Sequence, residues 1–234
     1  MDATDRRALL RRDAAGLRPE AVGVDRRPVV LVHGFADTGE TPWWRRLKGY
    51  LRADGYGEAD LHTVSLGDRV GQARGSPREY AADVAATIES AFDDRGRPVD
   101  VVAHSMGGLA ARWALEELST APQARGLVTL GTPHQGTRAA RLAARTPGGR
   151  DMVPGSEFLE TLNAGPTAAD VRYTAVRSRF DPLVVGPRRA RLPDDVRRDG
   201  DENRTVDSRG HLRLVFDEAV YRAYRDRLLS TTTG

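Results

Sequence analysis

The sequence predicts an α/β protein: a mainly parallel sheet of about six strands with helices on both faces. Three observations predict it. Short apolar runs, such as the continuous Val29–Val32 and Val99–Ala103 with its one Asp100, suit strands buried on both faces of a parallel sheet. Segments with helical periodicity alternate with these runs, as a sheet joined by crossover helices requires. The chain has 234 residues, and at roughly 150 residues per domain that is enough for one large domain with a sizeable core.

Taken in order, residues 1–27 read as a peripheral helix, anchored by Leu9 and Leu10, and a linker. Residues 28–234 read as a single domain. Pro28–Val32 is its first strand, ended by His33-Gly34-Phe35. Thr41-Pro42 signals a helix start, threonine as N-cap and proline in the first turn. Trp43, Leu47, Tyr50 and Leu51 follow at helical spacing, and Gly55 is a stop. The two tryptophans read as core or rim packing. Leu61–Ser65 is the second strand. Ser76-Pro77-Arg78-Glu79 is a capping box, with Tyr80, Val84, Ile88 and Phe92 recurring every four residues behind it. Val99–Ala103 is the next strand, followed by a helix carrying Leu109, Trp113 and Leu118. Leu127–Leu130 is another buried-type strand. Residues 138–166 hold no strand: a helical patch, a Pro147-Gly148-Gly149 turn and a second patch at Glu157–Leu162. This insert, about 139–166, is placed to act as a lid over the strand ends, its Met152, Val153, Phe158, Leu159 and Leu162 turned inward. Val171–Val176 resumes the sheet. Residues 186–204 read as an exposed excursion, Thr205-Val206 as a short last strand, and Leu214–Leu229 as one closing helix.

Composition excludes several classes. Hydrophobic residues at 39% and charged residues at 29% describe a globular chain, and no apolar run approaches the roughly 20 residues that cross a bilayer. The first 27 residues lack an apolar core segment, so no secretory signal is visible and a cytoplasmic location is expected, or a secreted one for a processed mature form. There is no cysteine, hence no disulfide framework and no thiolate chemistry. The net charge of +3 comes almost entirely from arginine, Lys48 being the one lysine, with acidic residues interleaved almost throughout. That describes a solvated surface; a sharper reading is transient attraction to an anionic lipid interface. No basic block with interleaved aromatics marks a nucleic-acid partner. No His-Glu-x-x-His, EF-hand spacing or phosphate loop is present, so no metal or cofactor is expected.

The chemistry gathers where strands end. Ser105 follows the strand Val99–Ala103 and is followed by Gly107 and Gly108. Strand, sharp turn and helix form the setting in which a serine stands exposed. A serine hydroxyl needs a base and donors for the oxyanion. His33-Gly34-Phe35 sits after another strand end, Asp181 just past Val171–Val176, and His211 in the glycine-led turn before the last helix. In open α/β sheets functional residues collect at such ends.

These segments resemble bacterial serine lipases and esterases of the α/β-hydrolase fold. The resemblance lies in Val-Leu-Val-His-Gly-Phe at 30–35, Ala-His-Ser-Met-Gly-Gly at 103–108 and Leu-Gly-Thr-Pro-His-Gln-Gly-Thr at 130–137. It continues in Met-Val-Pro-Gly-Ser-Glu-Phe-Leu at 152–159, Arg-Phe-Asp-Pro-Leu-Val at 179–184 and Gly-His-Leu at 210–212. One position departs from the family's G-x-S-x-G: Ala103 stands for the first glycine. The resemblance implies an α/β-hydrolase with Ser105 as nucleophile, His211 as general base and Asp181 as the acid that orients it. It also implies the backbone N–H groups of Phe35 and Met106 as the oxyanion hole, and structural roles for His33, His104 and His134. Asp201 and Asp207 compete with Asp181 by proximity to His211, but an acid on a neighbouring strand's loop reaches the far ring nitrogen more directly than one on the histidine's own loop. The implied activity is hydrolysis of acyl-lipid or other hydrophobic esters. An acyltransferase or thioesterase would use the same three residues, and a non-catalytic module on this fold would be expected to have lost one of them.

Overall fold

The structure, a computed structural model, describes residues 26–66 and 71–229; the helix expected around Leu9 and Leu10 lies outside them. Six strands form one sheet: β1 (Val29–Val32), β2 (Leu61–Thr63), β3 (Val99–His104), β4 (Ala124–Leu130), β5 (Arg172–Phe180) and β6 (Glu202–Arg209). Their order is β2-β1-β3-β4-β5-β6, and every neighbouring pair is parallel. The inner strands β1 and β3 are buried at every position, which is why β1 reads as an unbroken apolar run and β3 as one interrupted only by Asp100 before its terminal His104.

Alternate residues of these strands feed two cores. Val30, Val32, Val101, Ala103 and Leu127 face a core completed by α2 (Pro77–Arg95) and α3 (Met106–Glu116). Val29, Leu31, Val102, Val128 and Leu130 face the other, completed by α1 (Pro42–Ala53) and by the C-terminal helices. α2 starts as expected: the Ser76 hydroxyl accepts from the Arg78 N–H, the Glu79 carboxylate accepts from the Ser76 N–H, and Gly96 ends the helix at φ 62°. α1 starts after Thr41, but the threonine side chain does not cap it. Its hydroxyl instead turns back to Asp37 Oδ1 and the Thr38 carbonyl.

Four sequence expectations are corrected. Leu118 lies beyond the end of α3 and is exposed, since the helix stops at Glu116. Pro147-Gly148-Gly149 is not a turn but the start of a short helix, α4 (Pro147–Asp151), capped by the Thr146 hydroxyl accepting from the Gly149 N–H. The last strand is eight residues long rather than two; most of its side chains are polar and it lies at the sheet edge, so no apolar run betrays it. The closing helix is three short ones, α6 (Arg213–Phe216), α7 (Glu218–Arg222) and α8 (Arg225–Leu229). The break falls at Asp217, which takes extended backbone (ψ 121°) and N-caps α7 through the Ala219 N–H.

The strandless insert consists of a 3₁₀ segment at Arg138–Ala143, α4, and α5 (Glu157–Leu162). Met152, Phe158, Leu159 and Leu162 are buried in the same core as α3, and Phe158 stacks on Trp113 at 5.2 Å. A buried Arg112 fastens the two together. Its guanidinium binds both Glu116 oxygens at 2.9 Å, Asn163 Oδ1 at 2.9 Å and the Leu162 carbonyl at 3.0 Å. Among the described residues no helix is long and apolar enough to cross a membrane.

Candidate active site

Ser105 occupies the turn between β3 and α3 with φ 53° and ψ −127°, a conformation that costs a non-glycine residue of order 1–3 kcal/mol. The strain is held by hydrogen bonds on both sides: the Ser105 N–H donates to the Leu130 carbonyl at 2.9 Å, and the Gly108 N–H to the Ser105 carbonyl at 3.1 Å. The neighbouring glycines are sterically required. A Cβ on Gly107 would lie 2.3 Å from the His33 carbonyl oxygen, and one on Gly34 would lie 2.9 Å from Ser105 Cβ. Position 103 has no such constraint. Ala103 is an ordinary strand residue paired with Val32 and Thr129, so alanine serves where the pattern expects glycine.

His211 follows Gly210 (φ 106°) in the turn from β6 to α6. Its Nδ1 lies 2.7 Å from Asp181 Oδ2, with both side chains buried. The other carboxylate oxygen, Oδ1, accepts from the Leu183 N–H at 2.8 Å and the Val184 N–H at 3.0 Å. Burial alone pushes the Asp181 carboxyl up. The hydrogen bond and charge of His211, with the Val184 and Leu183 amides, outweigh it and hold the group below its ordinary value. Asp181 is thus built to stay ionised. β4 brings this pair to Ser105: Leu130 accepts from the Ser105 amide, and a Cβ on the next residue, Gly131, would sit 3.2 Å from both His211 Cε1 and Asp181 Oδ2.

The competing acids are engaged elsewhere. Asp201 accepts from the Tyr173 N–H at 2.9 Å, the Thr167 hydroxyl at 2.7 Å and the Arg198 N–H at 3.0 Å. Asp207 is exposed and paired with Arg179.

Three of the other four histidines support loops. His104 Nε2 donates to the His211 carbonyl at 3.2 Å, and its ring lies 4.6 Å from the His211 ring. Burial first, then the neighbouring His211, pushes the His104 value down to about 3, so it stays neutral behind the site. His33 Nε2 accepts from the Leu66 N–H at 3.0 Å, and its Nδ1 donates to the Gly34 carbonyl at 3.2 Å. His134 Nε2 pairs with the Thr129 hydroxyl at 2.9 Å.

Phe35 follows the end of β1, and Met106 opens α3, where first-turn N–H groups have no intrahelical acceptor. Among the described residues neither amide donates to a protein acceptor. Sequence reasoning missed the residue that fixes this loop. Asp37 Oδ2 accepts from Trp43 Nε1 at 2.9 Å and Trp44 Nε1 at 3.0 Å, and its Oδ1 accepts from the Thr38 N–H at 2.7 Å. The available signal was an acid two residues past Phe35, followed closely by paired tryptophans. Among the described residues no group of three or more His, Asp or Glu side chains is placed to hold a metal ion. A cavity of about 280 Å³ adjoins the acid loop, lined by Thr137, Arg138, Pro182 and Leu183 among others.

A family model described as palmitoyl protein thioesterase matches residues 28–176, from β1 into β5. The match includes Ser105 and ends before Asp181 and His211. A triacylglycerol lipase of Burkholderia plantarii is 30% identical over 142 residues, 54% of this chain and 37% of that protein. One of Pseudarthrobacter phenanthrenivorans is 29% identical over 121 residues, 49% of this chain and 35% of that protein. The chain thus spans little more than a third of the length of these curated relatives. Among solved structures, Aspergillus fumigatus lipase B superposes with TM-score 0.69 at 24% identity, over 91% of this chain and 55% of that one. The mature form of a Bacillus licheniformis lipase gives 0.66 at 17% identity, over 87% and 92% of the two chains. At these identities the likeness is one of fold, and the fold is that of the α/β-hydrolases.

Proposed function

The chain belongs to the palmitoyl protein thioesterase family, and from that premise we propose that it hydrolyses carboxylic esters of hydrophobic acyl groups through Ser105, His211 and Asp181. The observation that carries the reading is the buried 2.7 Å contact between His211 Nδ1 and Asp181 Oδ2, beside a serine held on a strained elbow. With Nδ1 donating to an ionised carboxylate, Nε2 is left as the acceptor a general base needs. Ser105 Oγ attacks the ester carbonyl as His211 Nε2 takes its proton. The Phe35 and Met106 amides receive the oxyanion. His211 returns the proton to the leaving alcohol, and water repeats the sequence on the acyl-enzyme, regenerating Ser105 and releasing the acid. Fixed amides and a buried carboxylate suit this chemistry because they need no reorganisation as charge develops. The insert at about 139–166 is proposed to roof the acyl site, supported by its packing on α3, the helix that follows Ser105.

A second reading has its own support. The matched family description names thioesters, and an acyl thioester meets the same nucleophile and oxyanion donors, with a thiol as leaving group. The test is a rate profile over p-nitrophenyl esters of increasing chain length beside acyl thioesters of the same lengths, with Ser105→Ala as control. Hydrolysis rising with chain length and abolished in Ser105→Ala is expected. The ester-to-thioester ratio decides between the readings, and equal rates in parent and Ser105→Ala proteins would reject both.

A further inference from the structure

Acidic residues interleave with arginine along much of the chain, but not in two stretches that meet in the fold. Residues 131–150 and 182–193 carry seven arginines and no Asp or Glu. The fold joins these stretches. Thr137, which caps the 3₁₀ segment, donates its hydroxyl to the Leu183 carbonyl, and the 280 Å³ cavity between them is lined from one side by Arg138 and Ala139 and from the other by Leu183, Val185 and Arg189. The second stretch begins at the acid loop itself, since the Leu183 and Val184 amides hold Asp181.

This rim also exposes apolar side chains. Leu142 is 95% exposed, Val185 68% and Leu183 48%. Leu142 is flanked by Arg141 and Arg145, and the buried residue of its short segment is Ala140. Arg138, Arg141, Arg145 and Arg188 are exposed, and among the described residues none is in a salt bridge. Cations outside ion pairs around projecting aliphatic side chains match a surface of anionic headgroups over acyl chains: the guanidiniums meet phosphates and the aliphatic groups enter the interface. A second copy fits poorly, because a two-fold contact would set arginines against the same arginines.

We infer that this rim docks the protein on an anionic lipid surface. The inference extends the hydrolase reading by naming where its substrate is presented, but docking does not depend on turnover. Binding is therefore measured on Ser105→Ala protein, so that failure to dock and failure to catalyse are separate results. The measurement is co-sedimentation with phosphatidylcholine vesicles, with and without phosphatidylglycerol, at low and high salt. Partitioning should be at least about tenfold stronger on the anionic vesicles and should weaken with salt. Combined Arg141→Gln, Arg145→Gln and Arg188→Gln should weaken it by on the order of 100-fold. Leu142→Ser should weaken it while leaving the salt dependence in place. With Ser105 restored, the triple variant should hydrolyse a short, water-soluble ester at the parent rate, which shows that the fold and site are intact. Equal partitioning on both vesicle types, or undiminished binding by the triple variant, would overturn the inference. So would a dimer in sedimentation velocity that Leu142→Ser dissolves, because that result assigns the face to a second copy.

Discussion

Asp181 has two oxygens, and each is committed to a different task. Oδ1 accepts two backbone N–H groups, and Oδ2 faces His211 Nδ1. Replacing it by asparagine preserves the shape but not the polarity. The Leu183 and Val184 amides require an acceptor, so they hold the asparagine carbonyl and turn its NH₂ toward His211. Nδ1 must then accept, Nε2 carries the proton, and the ring cannot take one from Ser105. Asp181→Asn should keep the melting temperature near the parent's and lower kcat by roughly 10⁴-fold. Asp207→Asn, at an exposed position paired with Arg179, should leave kcat within a factor of about two, in line with the small worth of exposed pairs. A crippled Asp207→Asn enzyme would reverse the assignment. The elbow gives a second test. Gly107→Ala puts a methyl 2.3 Å from a backbone oxygen that cannot move away. It should cost more stability than Ala103→Gly, whose penalty is the roughly 0.5–1 kcal/mol of added backbone freedom. Chemical denaturation of the two variants gives the order, and the reverse order would show that the elbow shifts to admit a methyl at position 107.

At the scale of elements, legibility followed burial. β1, β3 and β4 lie inside the sheet, and their apolar runs announced them; α2 carries its own capping box and its own terminal glycine. β6 carries glutamate, asparagine, arginine, threonine and aspartate at an edge, where main-chain pairing to β5 suffices and no side-chain period is needed. Asp37 was not legible for a related reason: its importance lies in two indole N–H groups that only the folded loop brings together. The Arg112 clasp was hidden likewise, because an arginine inside a helix reads as a solvated one. Here it is fully buried and spans α3 and the end of the insert. Arg112→Ala strands the Glu116 carboxylate, already pushed up by burial, and frees Asn163 and the Leu162 carbonyl. Removing one partner of a buried pair costs roughly 3–5 kcal/mol. Thermal melts should show that loss, and limited proteolysis should cut first within 138–166. Unchanged cleavage there would mean that packing of Phe158 and Leu162 alone holds the insert.

For the whole molecule, the parallel sheet and the placing of serine, acid and histidine past strand ends were readable from the alternation of strands and helices. The protonation balance of the interior was not, because burial decides it. His33, His104 and His134 are all buried, and burial is the largest cause holding each below its ordinary value. Each is neutral in the folded protein and regains a proton when unfolded. Below the unfolded value of about 6.5 the unfolded chain therefore binds more protons, and stability falls as pH falls, by at most about 1.4 kcal/mol per pH unit for each group. Asp181 has the same sign lower down: its depressed value gives stability that is present above its unfolded value and lost as pH falls through the folded one. Asp100 opposes them. Burial, despite Arg27 at 2.9 Å, raises it to about 7, so between its unfolded value and that point it favours the folded state as pH falls. Glu116, also raised by burial, acts in the same direction as Asp100, and three histidines against these two carboxyls leave acid destabilising. Urea midpoints should drop steadily from about pH 7 to pH 4.5 at constant m-value. His134→Gln should flatten that slope by one group's share, whatever it does to the absolute stability. A midpoint that holds or rises over this range would show that Asp100 outweighs the buried histidines.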